Sequence, residues 1–231
     1  MKCYKFEHIL KDLYQKNPLT VVEKLAGNNP KSSSLFFKSF GSRLYYQAIN
    51  LIEQTETYDE RASNYAQILR FSIKQFKKSV KYVGGVNIVN TKLSSIVNET
   101  DVIIYWGGAM NCIRTFEGES ENTYKKIVED EYSMKDGRHY LEINSAIRRR
   151  MRKEIPQTKK ILGFQQLEEI IIDDLSCLTE NGIFITNAKY DFYTIKGIME
   201  GKGFKWNDYL LEDLGVGLQP YETKITVWKK W

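Results

Sequence analysis

Residues 101–111 read DVIIYWGGAMN, an apolar run that ends in an indole, a glycine pair and an asparagine. The run from Val102 to Tyr105 has no polar residue, which is typical of a strand buried on both faces in a parallel sheet. In open α/β sheets, ligands bind outside the carboxyl ends of the strands. The stretch therefore predicts an α/β fold and a candidate site that begins at Trp106.

The end of this strand offers groups that suit a ligand. Glycines let a backbone approach a ligand closely and leave N–H groups free to donate, so Gly107 and Gly108 are candidate cofactor-binding residues. The indole of Trp106 can stack on a purine and Asn111 can bind a polar edge, so these two are candidate catalytic residues. The alternative is a tight strand-to-helix turn in which Trp106 only fills the core.

Composition narrows the class of protein. The 231 residues are 42% hydrophobic and 13% aromatic, which is enough for a folded core. The first residues, MKCYKFEHILKDLYQK, contain no apolar signal segment, and no run of about 18 apolar residues predicts a membrane span. Three cysteines without a CxxC pair favour a reducing, cytoplasmic compartment, and with only two histidines we predict no metal site.

Charge is distributed unevenly along the chain. Residues 1–100 hold 15 Lys and Arg against 8 Asp and Glu, whereas residues 101–231 hold 19 against 21. A basic half suits an anionic partner such as nucleic acid. A solvated surface with spare lysines is the alternative, because no lysine run in that half exceeds two residues.

Hydrophobic spacing predicts two regions. Residues 1–78 are predicted to be a basic helical region, and residues 79–231 an α/β domain with a polar insertion at about 112–160. The helices predicted in the first region include a short one around Val21, Val22 and Leu25 and longer ones over Leu35–Gln54 and Tyr58–Lys78.

A basic helix lies inside the polar insertion. The sequence IRRRMRKE (Ile147–Glu154) places five cations in six residues, and the planar fork of arginine suits phosphate. A surface helix tied by salt bridges to nearby glutamates is the alternative. The candidate nucleic-acid-binding residues are Arg148, Arg149, Arg150, Arg152 and Lys153.

Two further stretches have alternative interpretations. The segment RTFEGESEN (Arg114–Asn122) could bind Mg²⁺ through its glutamates, or could simply be the acidic approach to a helix. The serines of SSSLFFKSFGSR (Ser32–Arg43) could hold phosphate at a helix start, although the spacing of a P-loop is missing.

The C-terminal part resembles class I S-adenosylmethionine-dependent methyltransferases. Three segments follow that family's order of fifth strand, helix, "GF" and antiparallel strand pair: LSCLTENGIFITN (Leu175–Asn187), GKGFKW (Gly201–Trp206) and TKITVWKKW (Thr223–Trp231). In the same frame Asp101–Ile104 opens the fourth strand, whose carboxyl end faces the methyl donor and acceptor in the family. The resemblance implies a Rossmann-like sheet ending in an antiparallel pair.

The resemblance also implies S-adenosylmethionine as cofactor, with Gly107, Gly108 and Asn187 at the strand ends as its contacts. The family's glycine-rich turn after the first strand has no G-x-G-x-G counterpart upstream of Asp101. The glycine pair in YVGGVN (Tyr82–Asn87) is too close to Asp101 for three strands to fit between them. An acidic residue for the ribose hydroxyls is also not found.

Three functions remain open at this stage. The first is a divergent S-adenosylmethionine-dependent methyltransferase acting on nucleic acid. The alternative is a non-catalytic nucleic-acid-binding or complex-forming protein that retains a methyltransferase-like fold. The third is a Mg²⁺-dependent nucleotide-using transferase or hydrolase, with Glu117 in the glutamate segment as a metal ligand.

Overall fold

The described residues build an eight-stranded mixed sheet with helices packed on it. In this computed structural model the described ranges are 3–24, 26–27, 29–50, 56–86, 91–106, 119–134, 140–154, 164–186 and 189–230. The strands are β1 (Cys3–Tyr4), β2 (Leu19–Lys24), β3 (Leu44–Ile49), β4 (Val80–Val83), β5 (Thr100–Tyr105), β6 (Leu178–Thr186), β7 (Phe204–Leu211) and β8 (Lys224–Lys230).

Helices connect most of these strands. They are α1 (Phe6–Ile9), α2 (Lys31–Phe40), α3 (Glu56–Leu69), α4 (Ile73–Ser79), α5 (Glu119–Ser133), α6 (Tyr140–Glu154), α7 (Phe164–Ser176), α8 (Lys189–Gly201) and α9 (Pro220–Thr223). Short 3-10 turns occur at Lys11–Leu13, Gly41–Arg43 and Leu93–Ser95. None of the described helices has the length and hydropathy needed to span a membrane.

The strand order is β1-β7-β8-β6-β5-β2-β3-β4. Strands β2, β3, β4, β5 and β6 run parallel to one another, and β8 is antiparallel to both β6 and β7. The predicted α/β class and the terminal antiparallel pair are both confirmed.

Strand β5 divides the core into two layers. Val102, Ile104 and Trp106 belong to a cluster with α1 and α2, whereas Ile103 and Tyr105 belong to a cluster on the other face with α7 and α8. Successive side chains of a strand point to opposite faces, so an unbroken apolar run is buried on both. The sequence predicted this strand for the same reason.

The prediction of helices throughout residues 1–78 is wrong, because β2 and β3 lie there and pair with strands from beyond residue 78. The segment 19–24 is a strand. It was predicted as a helix because the periodicity of a short apolar run does not distinguish a helix from a strand. The helix predicted over Leu35–Gln54 ends at Gly41, which has φ +58°. The one predicted over Tyr58–Lys78 breaks at Arg70, which has φ +55°.

Beyond residue 78 the predicted boundaries shift by smaller amounts. The alternating sequence SVKYVGGVNIVN predicts a strand and turn or a hairpin, and β4 pairs in parallel with β3, as the first alternative requires. The apolar spacing after Gln165 predicts a helix that ends at Gly182, but α7 ends at Ser176 and residues 178–182 already belong to β6. In the insertion, a helix predicted over Glu121–Tyr132 corresponds to α5, and the predicted basic helix corresponds to α6.

Candidate functional site

The strand order of the sheet reverses between β2 and β5, which are neighbours. From β2 the chain moves outward through β3 to β4, and from β5 it moves to the other side through β6. In open α/β sheets the crevice at such a switch point, outside the carboxyl strand ends, is where ligands bind. Lys24 and Tyr105 are register partners there, so the end of DVIIYW lies beside the turn that follows β2.

The turn after β2 carries a glycine with a positive φ. Gly27 has φ +60°, and an added Cβ would have no heavy atom within 4 Å. The Ala26 N–H donates to the Ile49 carbonyl at 3.0 Å, which ties the turn to the end of β3. Strands β2, β3 and β4 all lie before the glycine pair of YVGGVN, and the described residues between that pair and β5 contain no strand, as the sequence predicted.

A buried carboxyl group lies one residue before the end of β2. Glu23 is 1% exposed and accepts a hydrogen bond from the Tyr46 hydroxyl at 2.7 Å. The Ser32 and Tyr46 hydroxyl oxygens are 2.9 Å apart. Burial raises the pKa of Glu23 to about 7, against the lowering effect of hydrogen bonds from Ser32 and Tyr46. This carboxyl group can change its charge near neutral pH.

The first turn of α2 is occupied by contacts within the protein. The Ser33 hydroxyl lies 2.7 Å from the Tyr58 hydroxyl and donates to the Pro30 carbonyl at 3.0 Å. Lys31 donates to Glu222 at 2.7 Å and to the Gly217 carbonyl at 2.9 Å. These polar groups build the wall behind the turn, which does not favour the phosphate cradle considered for Ser32–Arg43.

Asn50 follows β3 at the carboxyl edge of the sheet. It is 4% exposed, and its side-chain amide donates to the Tyr82 hydroxyl at 2.7 Å. Its backbone N–H donates to the Val83 carbonyl at 2.9 Å. Since β3 and β4 are neighbours, these bonds hold Asn50 at the ligand edge.

Trp106 fills the core, and one of its polar atoms has no partner within the described ranges. It is 7% exposed, and its ring centroid lies 6.2 Å from that of Phe6. Its indole Nε1 is buried and has no hydrogen-bond partner among the described residues. The packing of the ring agrees with the alternative that Trp106 fills the core. A buried N–H without a described partner is a position where a water or a ligand could bind. The other candidates, Gly107, Gly108, Asn111 and Asn187, lie outside the described residues.

A buried ion pair supports the switch point from the other face of the sheet. The Lys24 ammonium lies 2.8 and 3.0 Å from the two carboxylate oxygens of Asp174 on α7. The Tyr105 hydroxyl donates to the same carboxylate. The three residues join the ends of β2 and β5 to α7. The sequence signal for this pair is weak: Lys24 and Asp174 are charged residues next to apolar ones, in the segments VVEKLA and EEIIIDDL.

The basic helix α6 is partly used for internal ion pairs. Arg150 bonds to Glu154 at 2.7 Å, to Asp130 at 3.1 Å and to Glu131 at 3.3 Å, which ties α6 to α5. Arg149 and Lys153 are exposed. The side chains of Arg148 and Arg152 lie outside the described residues.

The glutamate segment is described only from Glu119, which begins α5. Glu117 lies outside the described residues, so its role as a metal ligand stays a prediction. Within the described part of the chain, no group of three His, Cys, Asp or Glu side chains could hold a metal ion.

No family model and no curated protein matches the sequence. Among solved structures, a SAM-dependent O-methyltransferase from Thermotoga maritima is similar with a TM-score of 0.50 and 9% identity, over 97% of this chain and 63% of that chain. An rRNA methylase from Streptococcus thermophilus gives a TM-score of 0.46 and 11% identity, over 100% of this chain and 98% of that chain.

The N-terminal domain of human METTL16 in complex with SAH gives a TM-score of 0.48 and 12% identity, over 98% of this chain and 69% of that chain. This chain spans 63% of the length of the Thermotoga protein. The likeness to that protein agrees with the switch point between β2 and β5 and with the antiparallel end of the sheet. The chain therefore has the fold of the class I S-adenosylmethionine-dependent methyltransferases.

Proposed function

We propose that the protein is an S-adenosylmethionine-dependent methyltransferase that acts on nucleic acid. The observation that carries the proposal is the turn at Gly27, which has an open approach and lies at the switch point beside the end of β5. The buried N–H of Trp106, for which the described part of the chain offers no partner, lies at the same edge and supports a ligand there.

The residues of this edge fit the methyl donor. The backbone around Gly27 would hold its methionine part, because a turn without a Cβ allows close approach. Asn50 would bind a ribose hydroxyl by a neutral hydrogen bond, which is weaker than one to a carboxylate. When bound, the cofactor supplies a methyl group on a positively charged sulfur. Ionised Glu23, just behind the turn, would favour that positive charge.

The protein's part in the reaction is then alignment. Methyl transfer needs the acceptor atom in line with the bond that breaks, and fixed orientation lowers the barrier without a covalent catalyst. The end of β5 and the residues that follow it would place the acceptor. Asn111 and the glycine pair keep their predicted roles in this proposal.

Gly27→Ala should weaken binding of S-adenosylmethionine and S-adenosylhomocysteine by about tenfold, or about 1.4 kcal/mol. The added methyl group would enter the open space at the turn, where the ligand approaches. Isothermal titration calorimetry on wild type and variant measures the change.

Gly41→Ala is the control for backbone strain. Gly41 has φ +58°, close to the +60° of Gly27, and an added Cβ there also has no heavy atom within 4 Å. With ψ −136°, Gly41 has a conformation that alanine adopts only with strain, and it lies at the far end of α2 from the turn. Equal loss of affinity in both variants, or none in Gly27→Ala, would remove the turn from the proposed site.

The basic charge of residues 1–100 supports a nucleic-acid acceptor. Transfer of a labelled methyl group from S-adenosylmethionine to RNA or DNA oligonucleotides tests it. Transfer only to small hydroxyl or amine acceptors would keep the methyltransferase proposal and overturn the acceptor class.

The second candidate, a non-catalytic nucleic-acid-binding or complex-forming protein, is favoured by two observations. Asn50 replaces the acid expected for the ribose hydroxyls, and the turn after β2 has a single glycine. A folded protein that binds neither S-adenosylmethionine nor S-adenosylhomocysteine in the calorimeter would select this candidate.

A further inference from the structure

We infer that the protein holds single-stranded nucleic acid on a basic and aromatic surface at the amino ends of β3 and β4. This surface lies at the opposite edge of the sheet from the proposed methyl-transfer site. Its residues, called the amino-edge patch, are Tyr14, Arg43, Tyr45, Lys74, Lys78 and Lys81.

Contacts bring the two ends of the patch together. The 3-10 turn Gly41–Arg43 leads into β3 and packs against α4, which carries Lys74 and Lys78. The Arg43 guanidinium lies 4.5 Å from the centroid of the Tyr14 ring and donates to the Tyr14 carbonyl at 2.7 Å. An arginine is therefore held against an exposed aromatic ring beside the end of a basic helix.

The patch continues around the amino edge of the sheet onto its other face. Gln47 on β3 is the register partner of Lys81 on β4, so the two side chains lie on one face, together with Tyr45, two residues before Gln47. Helix α4 covers the opposite face, because Phe76 packs there with Tyr46 and Val80. Tyr45 is 39% exposed and Tyr14 41% exposed.

The charge of the patch is largely unneutralised. Lys74, Lys78 and Lys81 are exposed, and no ion pair among the described residues involves them. The neighbouring Lys77 pairs with Asp59 at 2.6 Å. Together with Arg43, the three lysines leave four cations along one edge.

Phosphates and bases match this arrangement. Lysine and arginine bind a phosphate backbone, and exposed aromatic rings stack on unpaired bases, which is the combination used for single strands. The arginine helix predicted for this role is less suited, because Arg150 is already bonded to three carboxylates. The patch thus explains the basic first half of the chain better than a scattered surface does.

The inference deepens the proposed function and rests on its nucleic-acid acceptor, although binding is measured without methyl transfer. A six-residue strand such as β3 spans about 20 Å, so the patch would anchor the acceptor that far from the reacting edge. Binding of S-adenosylhomocysteine, measured on the same variants, reports separately on the methyl-transfer site.

Fluorescence anisotropy with labelled 20-nucleotide RNA and DNA single strands, read over a range of salt concentrations, tests the patch. Four phosphate contacts give a slope of log affinity on log salt of about −3. Lys78→Ala/Lys81→Ala should weaken binding about 20-fold at 0.1 M salt and make the slope less steep by about 1.4. Tyr45→Ala should weaken binding with the slope unchanged, because stacking releases no counterion.

Lys202→Ala/Lys230→Ala is the matched control, since it removes two exposed lysines at the other end of the sheet. Unchanged binding in this control, with loss in the patch variant, supports the inference. Equal losses in both, or a preference for duplex over single strand, would overturn it. Binding of polyglutamate as tight as that of the single strands would also overturn it, because polyglutamate carries negative charge but no bases. Absence of any nucleic-acid binding, with S-adenosylhomocysteine still bound, would overturn the patch and leave the methyltransferase proposal standing.

Discussion

Replacing Lys24 by methionine is expected to lower the free energy of unfolding by about 3–5 kcal/mol. The Lys24 and Asp174 side chains are 2% and 0% exposed, and the ammonium bonds to both carboxylate oxygens. Without Lys24, the carboxylate stays buried and loses its only described counter-charge, which is the costly half of breaking a buried pair. Urea denaturation followed by circular dichroism measures the loss.

Two further variants separate charge from packing. Lys24→Met/Asp174→Asn removes both charges and keeps an oxygen for the Tyr105 hydroxyl, so it should recover most of the lost stability. Lys229→Met breaks a pair with Asp12 in which the side chains are 25% and 60% exposed, so it should cost less than about 1 kcal/mol. A double variant as unstable as Lys24→Met alone would show that the loss comes from packing of the lysine stem.

Strand β5 was predictable because its signal is local. Each of its side chains is buried, so the apolar run needs no partner in the sequence to be recognised. Strands β7 and β8 were predictable because the glycine-rich loop at Gly215 and Gly217 separates two segments rich in aromatic and β-branched residues. In these places the local pattern and the fold agree.

Strand β2 was not predictable for the opposite reason. Glu23 and Lys24 give it the look of an amphipathic segment, but both are buried. Their partners are distant in sequence, since Tyr46 lies 23 residues away and Asp174 lies 150 residues away. No window of local sequence contains that information, so the run was assigned to a helix.

One part of the candidate site was predicted from the sequence and another was not. Trp106 was recognised as the end of a strand at a ligand edge, because a strand end can be identified without its neighbours. The sequence GNNPKSSS (Gly27–Ser34) predicted a loop but no ligand site, since a single glycine among loop residues gives little signal. Its place becomes apparent only when β2 is paired with β5 at the switch point. The same pairing places the turn at Gly27 where the proposed function requires a donor-binding turn.

Glu23→Gln should remove a pH dependence of stability of about 3 kcal/mol. The pKa of Glu23 is about 7 in the folded protein against 4.5 as the ordinary value, because the carboxyl group is buried. Between these two values the folded state keeps a proton that the unfolded state has lost, so stability falls as pH rises from 4.5 through 7. The loss is fully developed above pH 8, and wild type should lose about 3 kcal/mol more than the variant over that range.

The difference between wild type and variant is the quantity to measure, by urea denaturation from pH 4.5 to 8.5, because other groups titrate alike in both proteins. Glu180→Gln, at an exposed position on β6, should differ in stability from wild type by an amount that does not change with pH.

Calorimetry adds a functional readout. The donor is positively charged, so Glu23→Gln should bind S-adenosylmethionine about tenfold more weakly at pH 8, where wild type is ionised, and about equally at pH 6. A stability difference that does not change with pH would mean that Glu23 is already ionised throughout this range, and an affinity ratio equal at both pH values would mean that its charge does not act on the ligand.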